Sequence, residues 1–192
     1  MVLEEIAIKK IGDLESVSQV LEKIDILSEK WDLFPFLIKK FTDTQDCKII
    51  PILWSEKLVA IQKWPVYDLF KDEIDEINSI LKSVLDPTGE IINATLVMLE
   101  PGKQIRRFKD PILSQERYGR CHRIHIPIAL NDGCSYEAQI DPEPIELEQG
   151  GIYQINRVSN TVGFKNDGGF PRYHLSIDFI PGEILEKYSI RR

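Results

Sequence analysis

The segment Arg120-Cys121-His122-Arg123-Ile124-His125-Ile126-Pro127-Ile128-Ala129-Leu130 combines β-branched residues with side chains that carry out chemistry. Successive side chains of a β-strand point to opposite faces of the sheet. As a strand, the segment places Arg123 and His125 together on one face. The other face carries a histidine and three isoleucines, namely His122, Ile124, Ile126 and Ile128. If the first face lines a cavity, that cavity is cationic; the alternative is a half-buried strand with an ordinary surface arginine.

A second segment, Arg172-Tyr173-His174-Leu175-Ser176-Ile177-Asp178, repeats the Arg-x-His spacing. Its alternation places four polar side chains on one face, namely Arg172, His174, Ser176 and Asp178. A guanidinium group pairs with a carboxylate through two parallel hydrogen bonds. Two strands that each present Arg-x-His therefore predict a pocket for a small dicarboxylate anion, with Arg123, His125, Arg172 and His174 as its binding residues.

The composition limits the class of protein. The chain has 192 residues, of which 43% are hydrophobic and 29% charged, which predicts a soluble globular protein of one domain. A net charge of −7 argues against nucleic acid or an anionic membrane surface as the main partner. The three cysteines include no Cys-x-x-Cys pair, and the N-terminus lacks the apolar core of a signal peptide. No apolar run is long enough to span a bilayer, so the prediction is a cytoplasmic protein.

The order of apolar and turn residues predicts a mainly β fold with flanking helices. Residues 1–89 read as an α/β region with helices over about 14–24 and 66–85 and strands over 48–54 and 57–62. From residue 90, short apolar runs alternate with turn residues, as in an antiparallel barrel or jelly roll. These runs are 91–99, 103–108, 121–130, 134–140, 144–147, 151–156, 160–164 and 172–180. The prediction is a single domain, 1–192, with a cupin-like jelly-roll core over 90–180 and a short tail or helix over 181–192.

Four short motifs follow one another in a fixed order. They are Leu99-Glu100-Pro101-Gly102, Arg123-Ile124-His125-Ile126-Pro127, Gly150-Gly151-Ile152-Tyr153-Gln154-Ile155-Asn156 and Arg172-Tyr173-His174-Leu175-Ser176-Ile177-Asp178. As an ordered set, they resemble the aspartyl/asparaginyl β-hydroxylase family of 2-oxoglutarate- and iron(II)-dependent dioxygenases. The resemblance implies a double-stranded β-helix with its site in the barrel mouth, 2-oxoglutarate and iron(II) as cofactors, and a peptide or amino-acid substrate. It also implies that Arg123, His125 and Arg172 help to bind 2-oxoglutarate.

The family's metal positions fall on poor iron ligands in this chain. By register from the Pro-Gly turn, its His-x-Asp motif falls on Phe108-Lys109-Asp110, and its second histidine falls on Asn160. A benzyl side chain cannot coordinate iron, and one carboxylate with one amide is too few ligands for tight binding. A shift of register does not help, because 100–118 and 126–173 contain no histidine. A different site, built from His125 and His174 with Asp178 or Asp110, stays open.

Three functions are compatible with this pattern, because a fold does not fix a function. One is a dioxygenase with rearranged ligands; another is a non-catalytic relative that binds a small dicarboxylate or a protein segment. A third is a metal-independent isomerase or hydrolase, but Ser176 beside His174 lacks the rest of a catalytic triad. The sequence favours a dioxygenase-type protein with a degenerate or absent iron site, and the non-catalytic relative is the alternative.

Overall fold

The computed structural model of the protein describes residues 8–31, 47–55, 60–108, 121–138, 145–155 and 162–187. Within these ranges the chain forms ten strands, three α-helices and one short 3-10 turn at Ser28–Lys30. The strands are β1 (Ile8–Asp13), β2 (Cys47–Trp54), β3 (Gln62–Lys63), β4 (Glu90–Leu99), β5 (Lys103–Phe108), β6 (His122–Ala129), β7 (Cys134–Ala138), β8 (Gly151–Ile155), β9 (Val162–Asn166) and β10 (Arg172–Ile180). The helices are α1 (Val17–Ile26), α2 (Tyr67–Val84) and α3 (Gly182–Lys187).

The strands form two antiparallel sheets. The larger sheet has the order β1-β8-β6-β10-β4-β2-β3, and the smaller sheet has the order β5-β9-β7. From residue 90 onward, consecutive strands alternate between the sheets, so β4, β6, β8 and β10 lie in the larger one and β5, β7 and β9 in the smaller one. This alternation is the connectivity of a jelly roll, and it confirms the predicted mainly β fold. The three strands before residue 90 extend the larger sheet.

One face of the larger sheet packs against α1 and α2. The apolar stripe of α2 includes Phe70 and Ile77, which are buried together with Ile124 and Ile126 of β6 in one hydrophobic core. Each fully buried aliphatic or aromatic side chain of this kind contributes roughly 1.5–3 kcal/mol to stability. Because side chains alternate along β6, the burial of its isoleucines against the helices turns Arg123 and His125 toward the opposite face.

The opposite face of the larger sheet faces the smaller sheet across a second, smaller core. Apolar residues of β2 and β4, such as Ile49 and Val97, meet Ile105, Tyr136 and Phe164 of the smaller sheet there. The Pro101-Gly102 turn carries the chain from one sheet to the other, and Gly102 takes a φ of 74°, a left-handed conformation that favours glycine. The space between the sheets is where the polar residues of β6 and β10 are buried.

The predicted helices are confirmed with small changes of boundary. The segment 14–24 corresponds to α1, 66–85 corresponds to α2, and the tail contains α3. The apolar spacing located these helices because each of them buries one stripe of side chains. None of the helices in the described ranges is long and apolar enough to cross a membrane.

The predicted strands are confirmed with two differences. The segment 144–147 contributes one isolated bridge, between Ile145 and Tyr136, instead of a strand. The segment 57–62 is represented by the two-residue β3, and 56–59 lie outside the described residues. The remaining runs correspond to β2 and to β4 through β10, with ends that differ by up to two residues within the described ranges.

Ile77→Ala should lower the free energy of unfolding by about 2–5 kcal/mol, because it opens a cavity at a fully buried position of α2. The matched control is Val84→Ala on the same helix, whose side chain is 51% exposed and whose loss should cost within about 0.5 kcal/mol. Urea unfolding followed by circular dichroism measures both values. Equal losses in the two variants would contradict the packing of α2 on the sheet.

Candidate functional site

Arg172 is the most deeply buried charged residue of the inter-sheet space, with an exposed fraction of 0%. Its Cζ lies 4.1 Å from the ring centroid of Tyr136 and 5.4 Å from that of Phe164. Its Nη1 donates a hydrogen bond of 3.4 Å to the carbonyl oxygen of Ser135. Its Nε and Nη2 are buried and have no hydrogen-bond partner in the described part of the chain. Cation–π contacts contribute about 2 kcal/mol when desolvated, which is less than the several kcal/mol that burial of a charge costs.

Two histidines lie beside Arg172 in the same aromatic cluster. His125 of β6 and His174 of β10 are 1% and 2% exposed, and their ring centroids are 5.2 Å apart with the planes 18° from parallel. Phe164 stacks on His125 at 4.9 Å and lies tilted against His174 at 5.5 Å. The edge of Tyr136 approaches His125 at 6.2 Å. The four rings therefore form one cluster, and Tyr136 and Phe164 are the members of it that contact the guanidinium of Arg172.

Arg123 lies beside Asp178, a carboxylate of the chain itself. The antiparallel register places Asp178 of β10 opposite Arg123 of β6 and Asn93 of β4. The Arg123 Nε and the Asp178 Oδ1 are 2.6 Å apart, and both side chains are about nine-tenths buried. The Asn93 amide donates to the Asp178 Oδ2 at 2.9 Å, and the backbone N–H of Ser55 donates to the Asn93 Oδ1 at 2.7 Å. The charge of Arg123 is neutralised within the fold.

The two arginines belong to different ends of one sheet face. Six residues separate Arg172 from Asp178, which is roughly 20 Å along an extended strand. Arg123 also donates from Nη1 to the Ser176 hydroxyl at 3.4 Å, so its guanidinium stays at the Asp178 end. The structure confirms that Arg123, His125, Arg172 and His174 share the inward face of the sheet. It brings His125, His174 and Arg172 together around Phe164 and keeps Arg123 apart with Asp178. The predicted role of Arg123 in binding 2-oxoglutarate stays a prediction.

The smaller sheet supplies residues that sequence reasoning missed. The rings of Tyr136 and Phe164 contact each other edge to face, with centroids 4.7 Å apart, and both contact the guanidinium of Arg172. Asn166 is fully buried, and its amide donates to the carbonyl oxygens of Leu99 and Phe170, which fixes the turn before Arg172. Strand alternation over 134–138 and 162–166 could have predicted that Tyr136 and Phe164 point inward. The sequence does not indicate which residues of the larger sheet they contact.

His122 lies on the opposite face of β6, as the alternation predicts. Its Nδ1 is 2.9 Å from the Gln154 Nε2, and its ring centroid is 6.3 Å from that of Phe179. Burial lowers the pKa of His122, and the charge of Asp86 opposes this effect. Burial thus favours the neutral form of the imidazole, which hydrogen-bonds within the sheet and takes no part in the site.

The described residues do not fit an iron centre. Of the positions that the resemblance assigns to the metal, the structure describes Phe108, which ends β5 opposite Val162 of β9. Asp110 and Asn160 themselves lie outside the described residues. All three histidines of the chain are described, and no group of three or more His, Cys, Asp or Glu side chains in the described ranges could hold a metal ion. The alternative site with Asp178 is not formed, because that carboxylate contacts Arg123 and Asn93.

Solved structures of other proteins have a similar fold, and two of them are prolyl hydroxylases. A prolyl hydroxylase from Trichoplax adhaerens, in complex with a hypoxia inducible factor oxygen degradation domain peptide, has a TM-score of 0.59 at 13% identity, covering 96% of this chain and 88% of that chain. The viral collagen prolyl hydroxylase of Paramecium Bursaria Chlorella virus-1, in a 2-oxoglutarate complex, has a TM-score of 0.56 at 12% identity. The match covers 93% of this chain and 98% of that chain. HygX from Streptomyces hygroscopicus, with nickel and 2-oxoglutarate bound, has a TM-score of 0.58 at 8% identity. The match covers 91% of this chain and 83% of that chain.

These similarities establish the fold of the chain, which is the double-stranded β-helix of the 2-oxoglutarate- and iron(II)-dependent oxygenases. No protein-family model and no curated protein sequence matches the chain. The assignment to the aspartyl/asparaginyl β-hydroxylases, which the sequence motifs suggested, stays a prediction.

Protein purified without chelator and then incubated anaerobically with iron(II) should retain no tightly bound iron, because the described side chains offer no set of three ligands. Elemental analysis after desalting measures the iron content. One iron per chain, held with submicromolar affinity, would contradict this expectation. The same measurement on the His125→Ala/His174→Ala variant would then show whether the histidine pair holds that metal.

Proposed function

We propose that this protein binds a small organic acid on an oxygenase-type barrel, and that it does so without an iron centre. The observation that carries the proposal is the buried guanidinium of Arg172, whose Nε and Nη2 have no partner in the described ranges. These two nitrogens lie on the same edge of the guanidinium plane, and their N–H bonds point in parallel. That edge matches the two oxygens of a carboxylate.

The surroundings of Arg172 support a bound acid over a purely structural role. A structural arginine is normally buried with a carboxylate of the chain, as Arg123 is buried with Asp178. Arg172 instead faces two aromatic rings and a single backbone carbonyl oxygen. A ligand carboxylate would neutralise the charge and accept the two remaining hydrogen bonds.

The comparisons support the class of ligand. Two structures with a similar fold contain 2-oxoglutarate, and a third contains a peptide. The family resemblance of the sequence motifs also implies that Arg172 helps to bind 2-oxoglutarate. We therefore take 2-oxoglutarate and acids of similar size as the first ligands to test. A peptide is the proposed partner at the mouth of the barrel.

A second candidate, an iron(II)-dependent dioxygenase with rearranged ligands, has one supporting observation. His125 and His174 are buried side by side within the oxygenase fold. Bound iron(II) would supply oxygen activation in such an enzyme. Retention of iron by the protein, together with 2-oxoglutarate consumption that the His125→Ala/His174→Ala variant loses, would replace the non-catalytic proposal with this one.

Arg172→Met should weaken acid binding without destabilising the fold. Methionine has a similar length and no charge, so the variant should be as stable as the natural protein or more stable. Loss of two charge-assisted hydrogen bonds should weaken binding by at least about 10- to 100-fold. Isothermal calorimetry with 2-oxoglutarate, 2-oxopentanoate, succinate and citrate measures the affinity, and thermal unfolding measures the stability.

The matched control is Lys103→Ala, which removes the same unit of charge from an exposed position of β5 at the same end of the barrel. Its affinity for the acids should equal that of the natural protein. The proposal is refuted if none of the acids binds at millimolar concentration, or if Arg172→Met binds as well as the control. A variant that loses stability and binding together would indicate a structural role for the arginine.

A further inference from the structure

The charges on the inner face of the larger sheet are unevenly compensated. Arg172 has no carboxylate partner in the described ranges, whereas Arg123 at the other end is paired with Asp178. The sequence predicted that Arg123 and Arg172 bind one dicarboxylate together. The register of β6 and β10 instead gives the second arginine a carboxylate of the protein.

Asp178 is held firmly in this position. One of its oxygens lies 2.6 Å from Arg123, and the other accepts the Asn93 amide. Asn93 is buried and is itself fixed by the backbone N–H of Ser55. If a ligand carboxylate displaced Asp178 from Arg123, the contacts that join Asp178 to Arg123 and Asn93 would be disrupted. The nearly buried carboxylate of Asp178 would then have no countercharge, which is unfavourable.

The space next to Arg172 does not favour a second negative charge. Its described walls are the rings of Tyr136, Phe164, His125 and His174, all at most 3% exposed. Among the described residues no second cation is available there, because the guanidinium of Arg123 stays with Asp178 at the far end of the face. A second carboxylate would therefore lose its hydration without gaining a described countercharge. An apolar or aromatic group in the same place would pack against the rings.

We infer that the Arg172 site takes acids with a single carboxylate and an apolar remainder, and that Asp178 sets this preference by neutralising Arg123. This inference rests on the proposed function and makes it more specific. It differs from the dicarboxylate that the sequence predicts, because the second positive charge is already used within the fold.

The pair 2-oxopentanoate and 2-oxoglutarate tests the preference. The two acids share the 2-oxo acid group and chain length, and they differ in a terminal methyl against a terminal carboxylate. Calorimetry is performed at about pH 8, where an ordinary imidazole is neutral. The natural protein should bind 2-oxopentanoate at least about tenfold more tightly than 2-oxoglutarate, because the second carboxylate would be desolvated without a countercharge among the described residues.

Two variants test the role of Asp178. Asp178→Asn keeps the shape of the side chain and restores one positive charge to the face, so the preference for 2-oxopentanoate should fall by about tenfold. The double variant Arg123→Gln/Asp178→Asn again has no net charge at that end and should return to the natural preference. Thermal unfolding shows whether each variant is folded before it is titrated.

The outcomes separate this inference from the proposed function. If neither acid binds the natural protein, the proposed function fails and the inference fails with it. If 2-oxoglutarate binds as tightly as 2-oxopentanoate or more tightly, the single-carboxylate inference is overturned while acid binding at Arg172 stands. If Asp178→Asn is folded and keeps the natural preference, Asp178 does not set it. If the variants do not fold, the ratio measured on the natural protein still decides the ligand class.

Discussion

A full positive charge buried between two sheets is the constraint on which the rest of the site depends. Arg172 has an exposed fraction of 0%, and its described neighbours are aromatic rings and a single carbonyl oxygen. Rings attract a cation through their faces, but they do not replace the two hydrogen bonds that the free edge of the guanidinium can donate. The described residues therefore stabilise the arginine only in part, and under the proposed function a bound anion supplies the missing hydrogen bonds.

On the same face of the larger sheet, the charge of Arg123 is compensated within the fold. Arg123 and Asp178 lie opposite each other on neighbouring strands, and Asn93 on a third strand holds the carboxylate from its other side. Such a network cross-links β4, β6 and β10 at the centre of the larger sheet. The two arginines therefore differ: Arg123 belongs to an ion pair within the fold, whereas Arg172 has no described carboxylate partner and is the proposed ligand-binding residue.

Much of the fold could be predicted because it follows from local periodicity. The isoleucines of β6 alternate with Arg123 and His125, so the burial of one set against the helices fixes the direction of the other. The β10 segment was predicted correctly for the same reason, including the shared face of Arg172 and His174. The distance between Arg172 and Asp178 also followed from the sequence, since strand length depends only on residue count.

The pairing of Asp178 with Arg123 could not be predicted, because the register between two strands is set by the whole sheet. Tyr136 and Phe164 were missed for a related reason: their contact with Arg172 arises only when the smaller sheet closes over the larger one. The bridge at Ile145 was predicted as a strand because its apolar run is short, and such runs do not indicate how many residues will pair.

The most direct test of the account is an NMR observation of the Arg172 side chain. Its Nε–H resonance is assigned by its absence from spectra of the Arg172→Met variant. When 2-oxopentanoate is added, this resonance should move downfield and exchange more slowly with water, because the carboxylate accepts the hydrogen bond that Arg172 does not make within the described part of the chain. An Nε–H resonance that is unchanged at millimolar acid would contradict the claim that Arg172 binds the ligand.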